Sequence, residues 1–185
     1  YEDKMNLQEE INNLFLNQLN NWAKFPDVIE QLNRVKSKQI KWDDNTYVNV
    51  YFNTDKKHIS ESPCYLCEGN RPNEQLSISF LKKYVILCNP FPILKNHLTI
   101  ALHSHVPQRI RNKIKDMLTL AEELDDYIIF YNGPKCGASV PNHFHFQAGQ
   151  KSEVLLQSDN NLRSCMTISS EDKDEALELF EEVYQ

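Results

Sequence analysis

The chain has 185 residues, 41% of them hydrophobic, which suits one domain with a buried core, with or without appendages. Its formal net charge of −6 argues against a nucleic-acid backbone as main partner, but leaves room for a small anionic ligand, because local fields need not follow net charge. No apolar run approaches the roughly 20 residues of a membrane span, no signal-peptide pattern opens the chain, and it starts at Tyr1 without an initiator Met, as a piece of a longer protein would.

In chain order, residues 6–34 predict helix. Leu7, Ile11, Leu14, Leu19 and Trp22 recur at three- and four-residue spacing and form one apolar stripe, and Pro26 interrupts or ends the first helix. Residues 46–52 are β-rich. Residues 60–75 read as loop and carry Cys64-x-x-Cys67. Tyr84–Cys88 reads as a buried strand, stopped by Asn89-Pro90-Phe91-Pro92, and His97–Leu102 reads as another. A helix is expected after Pro107, to about Asp126, with Ile110, Ile114, Met117, Leu118, Ala121 and Leu124 on its apolar face. Tyr127–Tyr131 is a strand, followed by a turn-rich loop. The tail from 171 to 184 reads as an acidic, solvated helix capped by Ser170. No repeat or low-complexity linker is visible. Strand, strand, helix, strand, strand with short connections predicts antiparallel pairing with helix on one face, an α+β fold.

Five cysteines, an odd number, without secretory features point to thiols in a reducing compartment, the cytoplasm. Cys64-x-x-Cys67 is then a metal site or a redox pair. A thioredoxin-like motif opens a helix, and Glu68-Gly69-Asn70-Arg71-Pro72 does not read as one. A zinc deaminase needs His-x-Glu upstream, whereas only His58-Ile59-Ser60-Glu61 occurs. His58 is read as an exposed loop histidine, and Cys88, Cys136 and Cys165 as unreactive, with Cys136, in the loop, the one to check.

His143-Phe144-His145-Phe146-Gln147 is the most informative stretch. On a strand, residues two apart share a face, so His143, His145 and Gln147 line one surface while Phe144 and Phe146 pack on the other. Taken alone, His-x-His is equally a structural or a metal-ligand pair. The preceding Asn132, Gly133, Pro134, Gly137, Ser139 and Pro141 form a loop whose backbone N–H groups can approach an anion. A phosphate held beside an imidazole is the chemistry that follows.

These residues resemble the histidine-triad (HIT-like) superfamily, in its galactose-1-phosphate uridylyltransferase and nucleotide phosphorylase branch. The resemblance spans residues 60–150. It rests on Gly137-Ala138-Ser139, the His-x-His-x-Gln strand, Asn89-Pro90-Phe91-Pro92, the His97-Leu98-Thr99-Ile100 strand and Cys64-Tyr65-Leu66-Cys67. It implies a HIT-like antiparallel sheet with packed helices. The corresponding division is an N-terminal helical segment (1–40), a catalytic core (41–160) and a C-terminal segment with an acidic helix (161–185).

The resemblance also implies His145 as nucleophile, forming a nucleotidyl-imidazole that passes the nucleotide to phosphate or a sugar phosphate in two steps. His145 should be held in one tautomer by a bond from its other nitrogen, most simply to a nearby backbone carbonyl. Hydrolytic relatives carry histidine where Gln147 stands. Glutamine cannot supply a proton, so it suits leaving groups that are already good and favours a transferase or phosphorylase. Ser139, Gly137, Asn132, Asn89 and His97 are the implied nucleotide- or phosphate-binding residues. Three residues separate Ser139 from His143, one more than in relatives, which displaces Ser139 from the family position.

The same resemblance implies a structural zinc on Cys64, Cys67, His143 and a histidine after the preceding strand, His105 with His103 as competitor. No organic cofactor is expected. The implied substrates are a nucleotide sugar or dinucleoside polyphosphate with phosphate or a sugar phosphate, and neither nucleic acid nor membrane is expected as a partner. Relatives often carry a second copy of the fold and this chain shows one, so a homodimer partner or residues beyond this chain are expected to complete the site. A zinc-stabilised nucleotide-binding module without turnover, and a hydrolase on the same site, are the alternatives.

Overall fold

The computed structural model of the chain describes residues 5–41, 47–52, 63–153 and 166–184. The readings of His58 and Cys165 lie outside these residues. Helix α1 (Leu7–Asn21) starts at a capping box in which the Asn6 side chain accepts from the Glu9 amide at 2.9 Å and the Glu9 carboxylate accepts from the Asn6 amide at 3.3 Å. Helix α2 (Phe25–Arg34) carries Pro26 in its first turn. The expected break therefore falls at residues 22–24, and Pro26 opens the second helix where its missing N–H costs nothing.

The apolar stripe of α1 runs Leu7, Ile11 and Leu14, then Gln18; Leu19 is exposed. Buried Gln18 is fully used: its Nε2 donates to Glu74 O at 2.6 Å and its Oε1 accepts from Leu76 N at 2.8 Å. The helix is thereby tied to the segment entering the sheet, and a polar residue takes the place expected of Leu19 because its partners are backbone atoms.

Strands β1 (Lys36–Lys41) and β2 (Tyr47–Phe52) form a separate antiparallel pair. Strands β3 (Ser77–Phe80), β4 (Tyr84–Cys88), β5 (Leu98–Leu102), β6 (Tyr127–Phe130) and β7 (His145–Gln150) form one sheet in the order β3-β4-β5-β7-β6, every pairing antiparallel. β1 and β3 were not expected. β1 is exposed along its whole length with Ile40 its one apolar residue, and β3 is short and alternates serine with apolar residues, so neither has an apolar run to announce it. β3 and β4 are joined through Leu81 and Lys82, both at positive φ, the twist that a tight hairpin needs.

One face of the sheet presents Tyr84, Ile86, Cys88, Leu98, Ile100, Leu102, Phe146 and Ala148 to α1, α2 and α3 (Ile114–Glu123) in the main core. The other face presents Val85, Leu87 and Ala101 to Leu66 of the Cys64–Cys67 turn. β4 and β5 are thus covered on both sides, which is why they read as apolar runs broken only by Thr99.

Helix α3 is shorter than expected. Asn112 sits at positive φ and interrupts any helix from Pro107. Leu124 is fully buried as expected, but so is Leu120, which was not on the expected face, and Ala121, which was, is exposed. Helix α4 (Lys173–Val183) is capped by Asp172, whose side chain accepts from Glu175 N at 2.9 Å; Ser170 instead receives the Asp172 amide at 2.9 Å. The cap falls two residues later than expected because the acidic side chain itself fills the role. Among the described residues, no helix is long and apolar enough to cross a membrane.

Candidate active site and metal centre

The second face of the sheet, away from the helices, carries the polar groups. Cross-strand partners share a face, and the register pairs Ala101 with His145 and Thr99 with Gln147. His145 is 3% exposed. Its Nδ1 lies 2.8 Å from the backbone oxygen of His143. A carbonyl only accepts, so Nδ1 carries the proton and Nε2 keeps its lone pair. Burial lowers the His145 pKa from its ordinary value; the bond to His143 O opposes this, and the neighbouring His143 ring adds to it. The imidazole is therefore neutral near pH 7.

A second chain of bonds orients Gln147. The backbone N–H of Ile93 donates to His97 Nδ1 at 3.2 Å, so His97 holds its proton on Nε2. That nitrogen donates to Gln147 Oε1 at 3.0 Å. With its oxygen occupied, Gln147 presents its NH2 as the outward group. The His97 ring stacks on Phe130 at 6.0 Å, which fixes its plane. Asn89 is also committed: its Oδ1 accepts from Phe91 N at 2.8 Å and its Nδ2 donates to Thr99 Oγ1 at 3.0 Å. The Asn-Pro-Phe-Pro segment is thereby folded back as an Asx turn against the site face.

Cys64, Cys67, His105 and His143 bring one ligand atom each to within 4.8 Å of one another. Cys64 Sγ is 3.3 Å and Cys67 Sγ 3.6 Å from His143 Nδ1, and Cys67 Sγ is 3.1 Å from His105 Nδ1. Two thiolates and two imidazoles around a tetrahedral zinc would place S and N about 3.6 Å apart, given bonds of about 2.3 and 2.1 Å. The donor set and its spacing fit such an ion. His143 Nε2 donates to Leu102 O at 2.7 Å, which leaves Nδ1 as the lone-pair nitrogen aimed at the sulfurs. His105 belongs to the cluster and His103 does not; His103 is exposed, and its amide donates to Lys83 O at 2.9 Å in continuation of the sheet.

The loop between β6 and β7 holds the remaining expected residues. Gly137 adopts a φ of +90° in an exposed turn, a conformation side chains avoid, and Ser139 is exposed beyond it. Asn132 presents its backbone oxygen inward, to Gln108 Nε2 at 3.0 Å. Gln108 had no sequence signal at all. It lies between Pro107 and Arg109 in a stretch read as helix, and it is fully buried. His143 thus joins the ligand cluster, while His145 and Gln147 on the same face stand outside it.

Three crystal structures of yeast Ap4A phosphorylase Apa2 share this architecture. The complex with AMP is 22% identical, with a TM-score of 0.54, over 79% of this chain and 51% of that one. A second structure of that protein gives 24% and 0.52, over 80% and 47%. The complex with Ap4A gives 21% and 0.53, over 83% and 54%. The chain spans about half the length of these structures, and the likeness establishes the HIT-like fold. Residues 14–150 match the family described as Domain of unknown function (DUF4922), and the chain belongs to that family. No curated protein matches it.

Proposed function

We propose that the chain is a nucleotide phosphorylase or nucleotidyltransferase that works through a covalent nucleotidyl-His145 intermediate. The observation that carries this reading is the tautomer of His145: a neutral, buried imidazole with Nδ1–H on the His143 carbonyl and the Nε2 lone pair unspent. In the first step Nε2 attacks the α-phosphorus of the donor. A P–N bond forms as the P–O bond to the departing nucleoside polyphosphate or sugar phosphate breaks, and that group leaves as the anion. In the second step an oxygen of phosphate or a sugar phosphate attacks the same phosphorus, the P–N bond breaks, and the lone pair returns to Nε2.

The Gln147 NH2, oriented by His97, meets the non-bridging oxygens as charge builds on them. Loop N–H groups around Asn132, Gly137 and Ser139 supply further donors. Asn89 gives one N–H to Thr99, and the other is assigned to the nucleotide. The yeast enzyme solved with AMP and with Ap4A supports a dinucleoside polyphosphate as donor. Residues 41–160 are assigned as the catalytic core. A homodimer is one way to complete the substrate site.

We also assign a structural zinc to Cys64, Cys67, His105 and His143. The ion would tie the 64–67 turn to the segment entering β7 and touch no substrate. Thiols kept as ligands suit the reducing cytoplasm.

The test is intact mass spectrometry after brief exposure to diadenosine tetraphosphate, GDP-glucose and UDP-glucose without phosphate. An acid-labile nucleoside-monophosphate adduct, absent from His145→Asn, is expected, and adding phosphate should discharge it. Absence of any adduct from folded, zinc-loaded protein sinks the covalent reading. Turnover that is indifferent to phosphate would move the assignment to a hydrolase.

A further inference from the structure

We infer that Gln108 is the positioning residue of the His145 nucleophile; this rests on the reading of His145 given above. The β6–β7 pairing ends at Phe130 and Gln147. Two residues further towards the nucleophile, the position opposite His145 would fall to Asn132, and the strand has already turned away. The Gln108 carboxamide fills that gap. Its Oε1 accepts from His145 N at 2.8 Å, and its Nε2 donates to His145 O at 2.9 Å and to Asn132 O at 3.0 Å. A side-chain amide has the donor and acceptor of a peptide unit, so it can replace a missing rung of the ladder.

Gln108 is itself held rigidly. Its backbone N–H donates to Pro141 O at 3.1 Å, and its backbone oxygen accepts from Tyr131 Oη at 2.8 Å. The residue is completely buried, and these five bonds use its main chain and its carboxamide together. It therefore links the loop after β5, the end of β6, the loop before His143 and the nucleophile itself. The consequence lies in the bond that sets the tautomer. His145 Nδ1 reaches the carbonyl only two residues back, so its 2.8 Å geometry depends on the main-chain angles between His143 and His145. Clamping both backbone groups of His145 fixes those angles. Glutamine is required because a carboxylate would face two carbonyl oxygens without an N–H, and an apolar side chain would satisfy none of the three atoms.

The variants are Gln108→Met, similar in length and without hydrogen bonds, and Gln108→Glu, isosteric and lacking the donors. Each is measured for single-turnover adduct formation and for the 15N signals of the His145 ring. The adduct should form on the order of 10- to 100-fold more slowly, with the half-saturating donor concentration within about threefold of the parent. The ring should change from one Nδ1–H form to a mixture. An unchanged rate, or a loss confined to the half-saturation value, overturns the inference. If the parent protein forms no adduct at all, the nucleophile reading fails and the ring signals alone decide: a single tautomer retained in Gln108→Met overturns the positioning role, and a mixture upholds it. Should neither variant fold, the parent protein still discriminates. The Gln108 carboxamide protons must exchange slowly with solvent, and exchange at the rate of an exposed glutamine refutes the clamp.

Discussion

Gly149→Ala is the substitution whose effect can be worked most directly from the structure. Gly149 lies on β7, opposite Ile128, two residues past Gln147 and on the same face. A Cβ built there would sit 2.5 Å from Leu94 Cδ1, 2.8 Å from Leu94 Cβ and 3.2 Å from Leu94 Cγ. Carbon atoms rest at about 3.5–4.0 Å, so Leu94 must retreat by about 1 Å. Turning the side chain removes only part of the clash, because the Cβ contact moves only with the backbone. Overpacking of this kind costs about 1–3 kcal/mol. For a chain of this size that is a fall in Tm of about 2–12 °C. The displaced loop also carries Ile93, whose N–H fixes the tautomer of His97 and, through it, the Gln147 amide. Adduct formation should therefore slow about tenfold or more, with donor affinity less affected. The assays are thermal unfolding and single-turnover mass spectrometry. Leu94→Ala in the same chain should rescue only in part, since it removes Cδ1 and Cγ and keeps the 2.8 Å contact. A Gly149→Ala protein melting within about 1 °C of its parent would refute the argument that Leu94 is packed against this strand.

The metal assignment predicts about one zinc per chain in protein purified under reducing conditions, measured by elemental analysis. Cys67→Ser and His105→Ala should lose it, whereas His103→Ala should retain it. Removing the ion with a chelator should lower the melting temperature, because Leu66 packs on Val85, Leu87 and Ala101 only while the Cys64–Cys67 turn is held down. Equal zinc content in the His105→Ala and His103→Ala proteins would exclude the assigned ligand set. The remaining thiols separate by burial. Desolvation pushes the Cys88 thiol up to about 12, so at pH 8 only about one molecule in ten thousand carries the thiolate. Exposed Cys136 should be alkylated in the folded protein at that pH while Cys88 is spared, and rapid labelling of Cys88 would contradict its place in the core.

Patterns with a local cause were legible in the sequence. The alternation through His143–Gln147, the two-sided burial of β4 and β5 and the ligand spacing of Cys64 and Cys67 each follow from rules acting over a few residues. From these came the antiparallel α+β fold, the face on which the polar groups stand and most of the candidate site. Leu19 and Ala121 were misplaced because helical spacing tolerates a shift of one position, and contact with the sheet decides which neighbour is buried. The choice of His105 over His103 was open to the sequence, since both follow β5; only the fold brings the later one to Cys67. Gln18 and Gln108 were invisible for a different reason. Their partners are backbone atoms far along the chain, 37 residues away for His145, and a side chain bonding to a distant main chain leaves no periodicity or motif. The sequence by itself determined which chemical groups this protein carries and on which strand they lie. The tertiary structure decided their tautomers and partners, because those depend on carbonyls and amides that meet only when the sheet is assembled.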